Sequence, residues 1–525
     1  MPATSERTRL LPERDEVEPA SVVRESEAHL RRVADSFPRS VWLIATIEFC
    51  ERFAYFGIVG PMQNYMQNAM DDPLHPGGIG LGQAQATMIN QGFLLWCFLT
   101  PSISAVVADQ YIGRLKTIMY SSAIYSCGLV VLCLSSISLA YDIILSRLAL
   151  LLALVLIGIG TGGIKTNVSS LIAEQITGPS ETIRVTKYGE KVVVDRDLTI
   201  QSIFSMFFLF INVGSFAAAA CTAIEQRYGF TMAFALPTVI FITGFTILLI
   251  SKDGYISRAP ESSVILHACR AFWIAIRHGG NLDYARPGTE DSAQRVPWDN
   301  SFVDDLKRIS SACKVFLLYP FYWAACTQFA TNFVSQASTM ETHGIPNDIL
   351  VFLDPVTAII LLPILDRIVF PYFERIGKPV DYVHRMTAGF MFCGAAMLYA
   401  AFVQWEIYAA PPCYNHPRAR DCVGGSVPNQ VSIYVQAPAY MLIATSEILA
   451  AVAGIEYAYT KAPASMKSLV MAVYLTTTSV GALLAVAVSP LTVDPKLVWM
   501  YITLSMGPLM AGVTIWSAPI AAPWW

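Results

Sequence analysis

Glu48, Glu51 and Arg52 fall within one apolar stretch, in the run Ile-Glu-Phe-Cys-Glu-Arg-Phe-Ala-Tyr-Phe-Gly (47–57). On a helix, residues three and four apart are neighbours, so Glu48, Glu51, Arg52 and Tyr55 form one patch. Ionised groups inside a membrane are costly and persist where they face a protein interior or a water-filled cavity with work to do. An arginine is always charged and offers a planar fork to a carboxylate. A glutamate beside it can hold it as an ion partner or, once protonated, release it. The patch can therefore bind an anionic group and move protons. The bland alternative is a permanent ion-pair knot that only ties helices together.

Three further positions add buried charge or polarity. Lys165 follows Gly160-Thr-Gly-Gly within an apolar run. Small residues there let helices approach closely, and a lysine has no packing reason to be present. Glu447 is an isolated acid in another apolar run. It suits either a cationic ligand or a protonated carboxyl bonded within its own half. Asp354 precedes Pro355 at the start of a third run. It divides evenly between ligand or proton binding with Glu447 and capping of a helix N-terminus.

The elements that must hold these groups follow from composition. The chain has 525 residues, 54% of them hydrophobic and only 14% charged, with a mean hydropathy of +0.49. Soluble domains carry about 25% charged residues, so the expected class is an all-α polytopic membrane protein. A span needs about 20 mainly apolar residues. Twelve candidates lie near 41–67, 84–107, 116–138, 148–173, 200–221, 231–250, 313–338, 348–370, 385–404, 431–456, 467–490 and 496–518. The long central gap gives two bundles of six, the layout of the major facilitator fold. The expected divisions are a disordered cytosolic tail (1–38), a bundle (39–251), a cytosolic loop (252–312), a second bundle (313–518) and a short cytosolic tail (519–525).

Lys and Arg gather in the N-terminal tail, at Arg114, Lys116, Arg184, Lys187 and Lys191, in the central loop, and at Arg375, Lys378, Lys461 and Lys467. This bias places both termini in the cytosol. The segment 182–195 predicts a β-hairpin turning at Tyr188-Gly189. Residues 262–278 predict an amphipathic helix, either on the inner leaflet or packed on the bundle. Cys413 and Cys422 fall in a loop on the opposite, disulfide-permissive side. They are a bridge or two free thiols.

The motifs then form a pattern. Glu48-x-x-Glu51-Arg52-Phe53 with Tyr55 and Gly57, Val107-Ala108-Asp109 with Ile112-Gly113-Arg114, Gly160-Thr-Gly-Gly-Ile-Lys165, Phe321-Tyr322-Trp323 with Gln328, and Ser446-Glu447-Ile448 resemble, in order, the signatures of proton-coupled oligopeptide transporters. Asn332 through Asp348, the hairpin insert and Glu456-Tyr-Ala-Tyr-Thr-Lys461-Ala-Pro are close to the fungal branch. The resemblance implies a plasma-membrane symporter importing di- and tripeptides with protons by alternating access. Glu48, Glu51, Arg52 and Lys165 would couple protons, with Lys165 paired to the first-span glutamates. Arg52, Tyr55, Lys165, Asn212, Gln328, Asp354 and Glu447 would bind substrate, Glu447 taking the peptide amine.

Asp109 with Arg114, and Glu456 with Lys461, are candidate gating pairs, the second equally a solvated helix end. Glu341, His343 and Asp348 cluster beyond the seventh span, where His343 is either a gate or a solvated loop residue. The chain departs from the pattern in carrying Cys326 and Thr327 where many members have an acid, and Phe56 where many have a second tyrosine. Competing readings are a carrier of nitrate or another small organic solute, and a transport-dead nutrient receptor. No Walker loop, HExxH, CxxC or basic stripe stands out. ATP, metal, other cofactors, nucleic acid and enzyme chemistry are therefore not expected, and protons are the coupling ion. If Asp354 substitutes for the missing seventh-span acid, Asp354→Asn lowers proton-driven uptake and substrate affinity. Full retention of both in a flux assay rejects that role.

Overall fold

Hydrocarbon offers no partner to backbone N–H and C=O groups, so apolar runs of this length close their hydrogen bonds within themselves as helices. The computed structural model describes residues 30–75, 77–138, 141–176, 181–185, 190–257, 264–288, 296–378, 380–463 and 466–517. Residues 1–29, the hairpin turn at 188–189 and the expected 519–525 tail lie outside them. Among the described residues eleven helical stretches are long and apolar enough to span a bilayer: Gln83–Ile112, Arg114–Ser138, Ile143–Glu174, Leu198–Tyr228, Phe230–Ile250, Asn300–Ala337, Ile349–Arg375, Tyr382–Ala409, Ile433–Ala458, Leu469–Leu491 and Leu497–Ser517. The first span, Arg39–Gln67, has 29 residues and carries the three buried charges. It completes the twelve.

One hydrophobic core runs from Val41 to Tyr255 and a second from Ile265 to Ile515. The end of the bundle where the first span begins is called the near side, and the end holding Gln67 the far side. The third span packs along the fourth, the ninth along the twelfth, and the second against the eleventh across the two halves. Helix starts follow side-chain chemistry. Asp142 accepts from the N–H groups of Ile144 and Leu145 at the fourth span, and Asp381 accepts from His384 N at the ninth.

Several spans are interrupted where polar residues collect. The fifth divides into Arg196–Ser215 and Ala217–Tyr228. The seventh tightens to a 3-10 turn at Thr327–Ala330, and the tenth widens to a π turn at Glu447–Val452. Such turns free backbone geometry at functional positions.

Two expectations need correction, and two open alternatives are decided. Within the expected disordered tail, Arg32–Val33 is ordered and pairs in parallel with Lys191–Asp195. That strand is itself antiparallel to Glu181–Val185. Val33, Val192 and Val194 bury one another, and Arg184 Nη1 holds Asp35 Oδ1 at 2.5 Å. The seventh helical run starts at Asn300 rather than near 313, since Val303, Leu306 and Ile309 make one buried face. The helix Val264–Arg277 packs Ile265, Ala268, Ala271 and Ala275 into the second core, the bundle-packed alternative, and leaves Trp273 and Ile276 exposed. Cys413 and Cys422 are joined by a disulfide, their Cα atoms 5.7 Å apart.

Close approach explains the glycines before Lys165. A Cβ on Gly160 would lie 2.8 Å from Tyr125 Cα, and Tyr125 is fully buried against Phe241 at a centroid distance of 4.4 Å. Gly160→Ala is expected to cost about 1–3 kcal/mol through overpacking, read as a lower melting temperature of the purified protein.

Candidate functional site

The first span turns Glu48, Glu51 and Arg52 inward, where they are 2%, 0% and 6% exposed. Arg52 Nε lies 3.2 Å from Glu48 Oε1, and Arg52 Nη2 is ion-paired to Glu51 Oε2. Thr161, from the glycine-rich turn of the fourth span, donates its hydroxyl to Glu51 Oε1. Arg52 Nη2 reaches the same hydroxyl oxygen at 3.5 Å. The guanidinium carbon sits 5.4 Å from the centroid of the Tyr55 ring, which stacks on Phe93. Two carboxylates, one hydroxyl and one aromatic face thus hold a single cation.

Lys165 does not pair with these glutamates, contrary to the expectation. Arg52 occupies both, and the Lys165 ammonium lies 4.0 Å from the centroid of the Phe98 ring instead. Among the described residues Lys165 makes no ion pair. An ammonium over an aromatic face is attracted by the ring quadrupole.

The second half holds the acids. Cys326 Sγ donates to Glu447 Oε1 at 3.3 Å, so one of the two residues replacing the seventh-span acid contacts the tenth-span acid directly. Thr327, the other, donates to Gln91 Oε1 at 3.2 Å across the halves. Asp354 does not cap its helix: Phe352 takes the cap position with no side-chain bond. Its buried Oδ1 has no hydrogen-bond partner among the described residues. It is an electrostatic neighbour of Glu447, and the eighth span packs on the tenth.

Other expected residues separate from this cluster. Gln328 is buried with its amide committed: Nε2 donates to Ala324 O at 2.7 Å, and Oε1 accepts from Asn332 Nδ2 at 2.6 Å. It braces the seventh span. Asn212 lies near the division of the fifth span. Asp109 and Arg114 are joined at 3.3 Å and share Arg114 with Glu174, at 2.5 Å. These three all belong to the first half. Glu456 pairs with Arg385 of the ninth span at 2.8 Å; the side chain of Lys461, its expected partner, lies outside the described residues. Neither expected gating pair spans the halves.

The seam between halves is instead built at the far side. Asn64 and Asn347 exchange two amide hydrogen bonds of 2.9 Å. Gln63 Nε2 donates to Ser335 Oγ at 3.1 Å, Thr87 Oγ1 to Asn332 Oδ1 at 3.2 Å, and Asp72 is ion-paired to Arg418. His343 stacks on Tyr434 and bonds Ser432 Oγ at 3.0 Å within its own half. Phe98, Arg385, Gln63 and Asn64 carry no sequence signal, since each matters only through a partner distant in the chain, whereas Thr161, Asn332 and Asn347 stand within the motifs. Among the described residues no cluster of His, Cys, Asp and Glu could hold a metal ion.

Comparison with known proteins places the geometry. A family model described as the POT family matches residues 115–505. The chain is 61% identical over 305 residues to the peptide transporter imqJ of Aspergillus flavus, a match covering 58% of this chain and 60% of that protein. It is 43% identical to the peptide transporter PTR_C of Candidozyma auris, covering 93% of this chain and 84% of that protein. It is 38% identical to the peptide transporter PTR2 of Saccharomyces cerevisiae, covering 98% and 84%. The crystal structure of an auto-inhibited POT family peptide transporter superposes with a TM-score of 0.73 at 20% identity, over 93% of this chain and 98% of that one. That likeness identifies the fold, a major facilitator arrangement of two six-helix bundles.

Removing one partner of a buried pair strands the other charge. Glu51→Ala is expected to cost about 3–5 kcal/mol, whereas Thr161→Val removes the hydroxyl's two hydrogen bonds, to Glu51 and from Arg52, and costs about 1.5–3 kcal/mol. Thermal unfolding of the two variants in the same detergent compares them.

Proposed function

We propose, since this chain belongs to the POT family, that it is a secondary active transporter carrying di- and tripeptides into the cell together with protons. It is a carrier and not an enzyme, with protons as the coupling ion and no bound cofactor. A multi-pass membrane location accords with its spans. We place it in the plasma membrane with the near side and both termini cytosolic, on the basis of the Lys and Arg bias.

The observation that carries the peptide reading is the segregation of charge. Arg52 and the unpaired Lys165 lie in the first half, and Glu447 and Asp354 in the second. A zwitterionic peptide has a carboxylate for the first pair and an amine for the second. Charges in a dry cavity act strongly because little water screens them. Lys165 can take a carboxylate without breaking any ion pair. Arg52 can do so only when Glu48 or Glu51 lets go, and protonating a glutamate weakens its hold. Peptide binding and protonation thus favour the same state, which is the requirement for symport.

Gating would then exchange the far-side seam for contacts at the near side, with Asp109, Arg114 and Glu456 serving each half as internal braces. Nitrate or another simple anion is disfavoured because Glu447 and Asp354 would repel it. A receptor without transport is separated from a carrier by net flux.

Uptake of a labelled dipeptide into proteoliposomes tests this reading. An inward proton gradient is expected to drive accumulation in the wild type. Glu51→Gln, which removes the titrating group and keeps its shape, should lower gradient-driven accumulation at least about tenfold, ~1.4 kcal/mol of coupling. No accumulation by folded wild-type protein overturns the peptide assignment.

A further inference from the structure

The far-side seam contains two acids that meet across the halves. Asp348 lies in the loop before the eighth span and is 2% exposed. Thr222 of the fifth span donates its hydroxyl to Asp348 Oδ2 at 3.2 Å. The carboxyl of Glu225, one turn further along the fifth span, is hydrogen-bonded to Asp348. Asp348 Oδ1 is buried with no hydrogen-bond donor among the described residues. An ionised carboxylate only accepts hydrogen bonds. Two carboxyl groups in hydrogen-bond contact therefore need a proton between them, and two bare charges in that place would repel.

We propose that Glu225 and Asp348 share one proton across the seam, and that this proton latches the far side shut. The latch rests on the proton-coupled reading above and adds to it a second proton site, away from the first-span patch.

The surroundings offer no substitute for the proton. From the loop after the first span, Asp72 is held by Arg418 of the 410–428 loop. His75, in the same loop, is pushed down to about 4 by burial and by the charge of Arg418, so it is neutral in the working range. Arg227 lines the same cleft as Glu225 and His75, but makes no ion pair among the described residues. The first span presents the uncharged Gln63 and Asn64. The tenth span contributes Tyr440, and Glu341 and His343 lie on the strand and turn preceding Asp348. Burial holds Asp348 above the usual carboxylate range.

The position suits a gate. The neighbouring Asn64–Asn347 exchange and the Phe216–Phe352 contact, 4.9 Å between centroids, close the same seam. A cleft of about 430 Å³, lined by His75 and Arg227 from the first half and by Thr342, Ile345 and Asn347 from the second, reaches Glu225. Protons from the far-side compartment can reach it by that route. The sign follows from linkage. A carboxyl whose pKa is raised in the closed state contributes closure that is present at low pH and lost as pH rises through that value. A proton-rich far side favours the closed gate, and a proton-poor one lets it open.

The test uses the full chain in nanodiscs, without peptide or gradient, so it reads the latch independently of transport. Spin labels are placed by Tyr228→Cys and Tyr434→Cys, exposed positions in opposite halves. The exposed Cys127 and Cys269 are replaced by serine. Between about pH 5 and about pH 8 the short-distance population is expected to fall at least about threefold in the wild-type background.

Asp348→Asn keeps the acceptor for Thr222 and supplies an N–H to Glu225, so it should remain closed at both pH values. Glu225→Gln should behave likewise, and His75→Gln should keep the wild-type response. A pH-independent distance in the wild-type background overturns the latch. So does an unchanged pH response in Asp348→Asn or Glu225→Gln, which would assign the switch to the first-span glutamates. Failure of peptide uptake with the distance response intact would reject the transport reading and leave the latch standing.

Discussion

One guanidinium governs the first half of this molecule. Arg52 cannot discard its charge and cannot leave the interior, so the bundle around it is organised to keep it satisfied. Two glutamates one turn and one residue away, the Thr161 hydroxyl and the Tyr55 ring supply that environment. The fourth span can bring Thr161 within reach only because Gly160, Gly162 and Gly163 let it approach the second and third spans closely. Sterically bare backbone in one helix is thus the condition for buried charge in another. An arrangement that over-satisfies Arg52 also leaves Lys165 without an ion pair among the described residues, over the Phe98 ring.

The second half follows a different rule. Among the described residues its two span acids, Glu447 and Asp354, pair with no cation. Glu447 receives a thiol hydrogen bond, and Asp354 leaves a buried oxygen unpartnered. Buried carboxyl groups without partners are costly, and a fold that retains them is prepared for a positive charge or a proton from outside. The chain thereby separates the two chemistries a zwitterion requires onto two bodies that move relative to each other in a carrier. Binding across the halves and movement of the halves are coupled because neither charge set is complete alone.

The ends of the bundle differ in the same spirit. On the near side, Asp109, Arg114 and Glu174 stay within the first half, and Arg385 and Glu456 within the second. On the far side, amides, hydroxyls and one ion pair cross the seam. Neutral amide and hydroxyl contacts are individually modest, about 1 kcal/mol each. A seam made of them holds a state without trapping it.

The sequence by itself determined the class, the twelve apolar runs and the identity of the chemical groups forced inside. The reason is that bilayer solvation is a composition rule: Glu48, Glu51, Arg52, Lys165, Glu447 and Asp354 stand out wherever they point. Helical spacing was enough to put Glu48, Glu51, Arg52 and Tyr55 on one face. Only tertiary structure decided who pairs with whom. Arg52 takes both glutamates and Lys165 takes Phe98, Gln328 turns back onto its own helix, and Glu456 meets Arg385. Asn64 finds Asn347, and Glu225 finds Asp348, across more than a hundred positions. Partner choice depends on how whole helices pack, which no local pattern encodes. Arg418 and Asp72 look like ordinary loop charges until the fold sets one against the other.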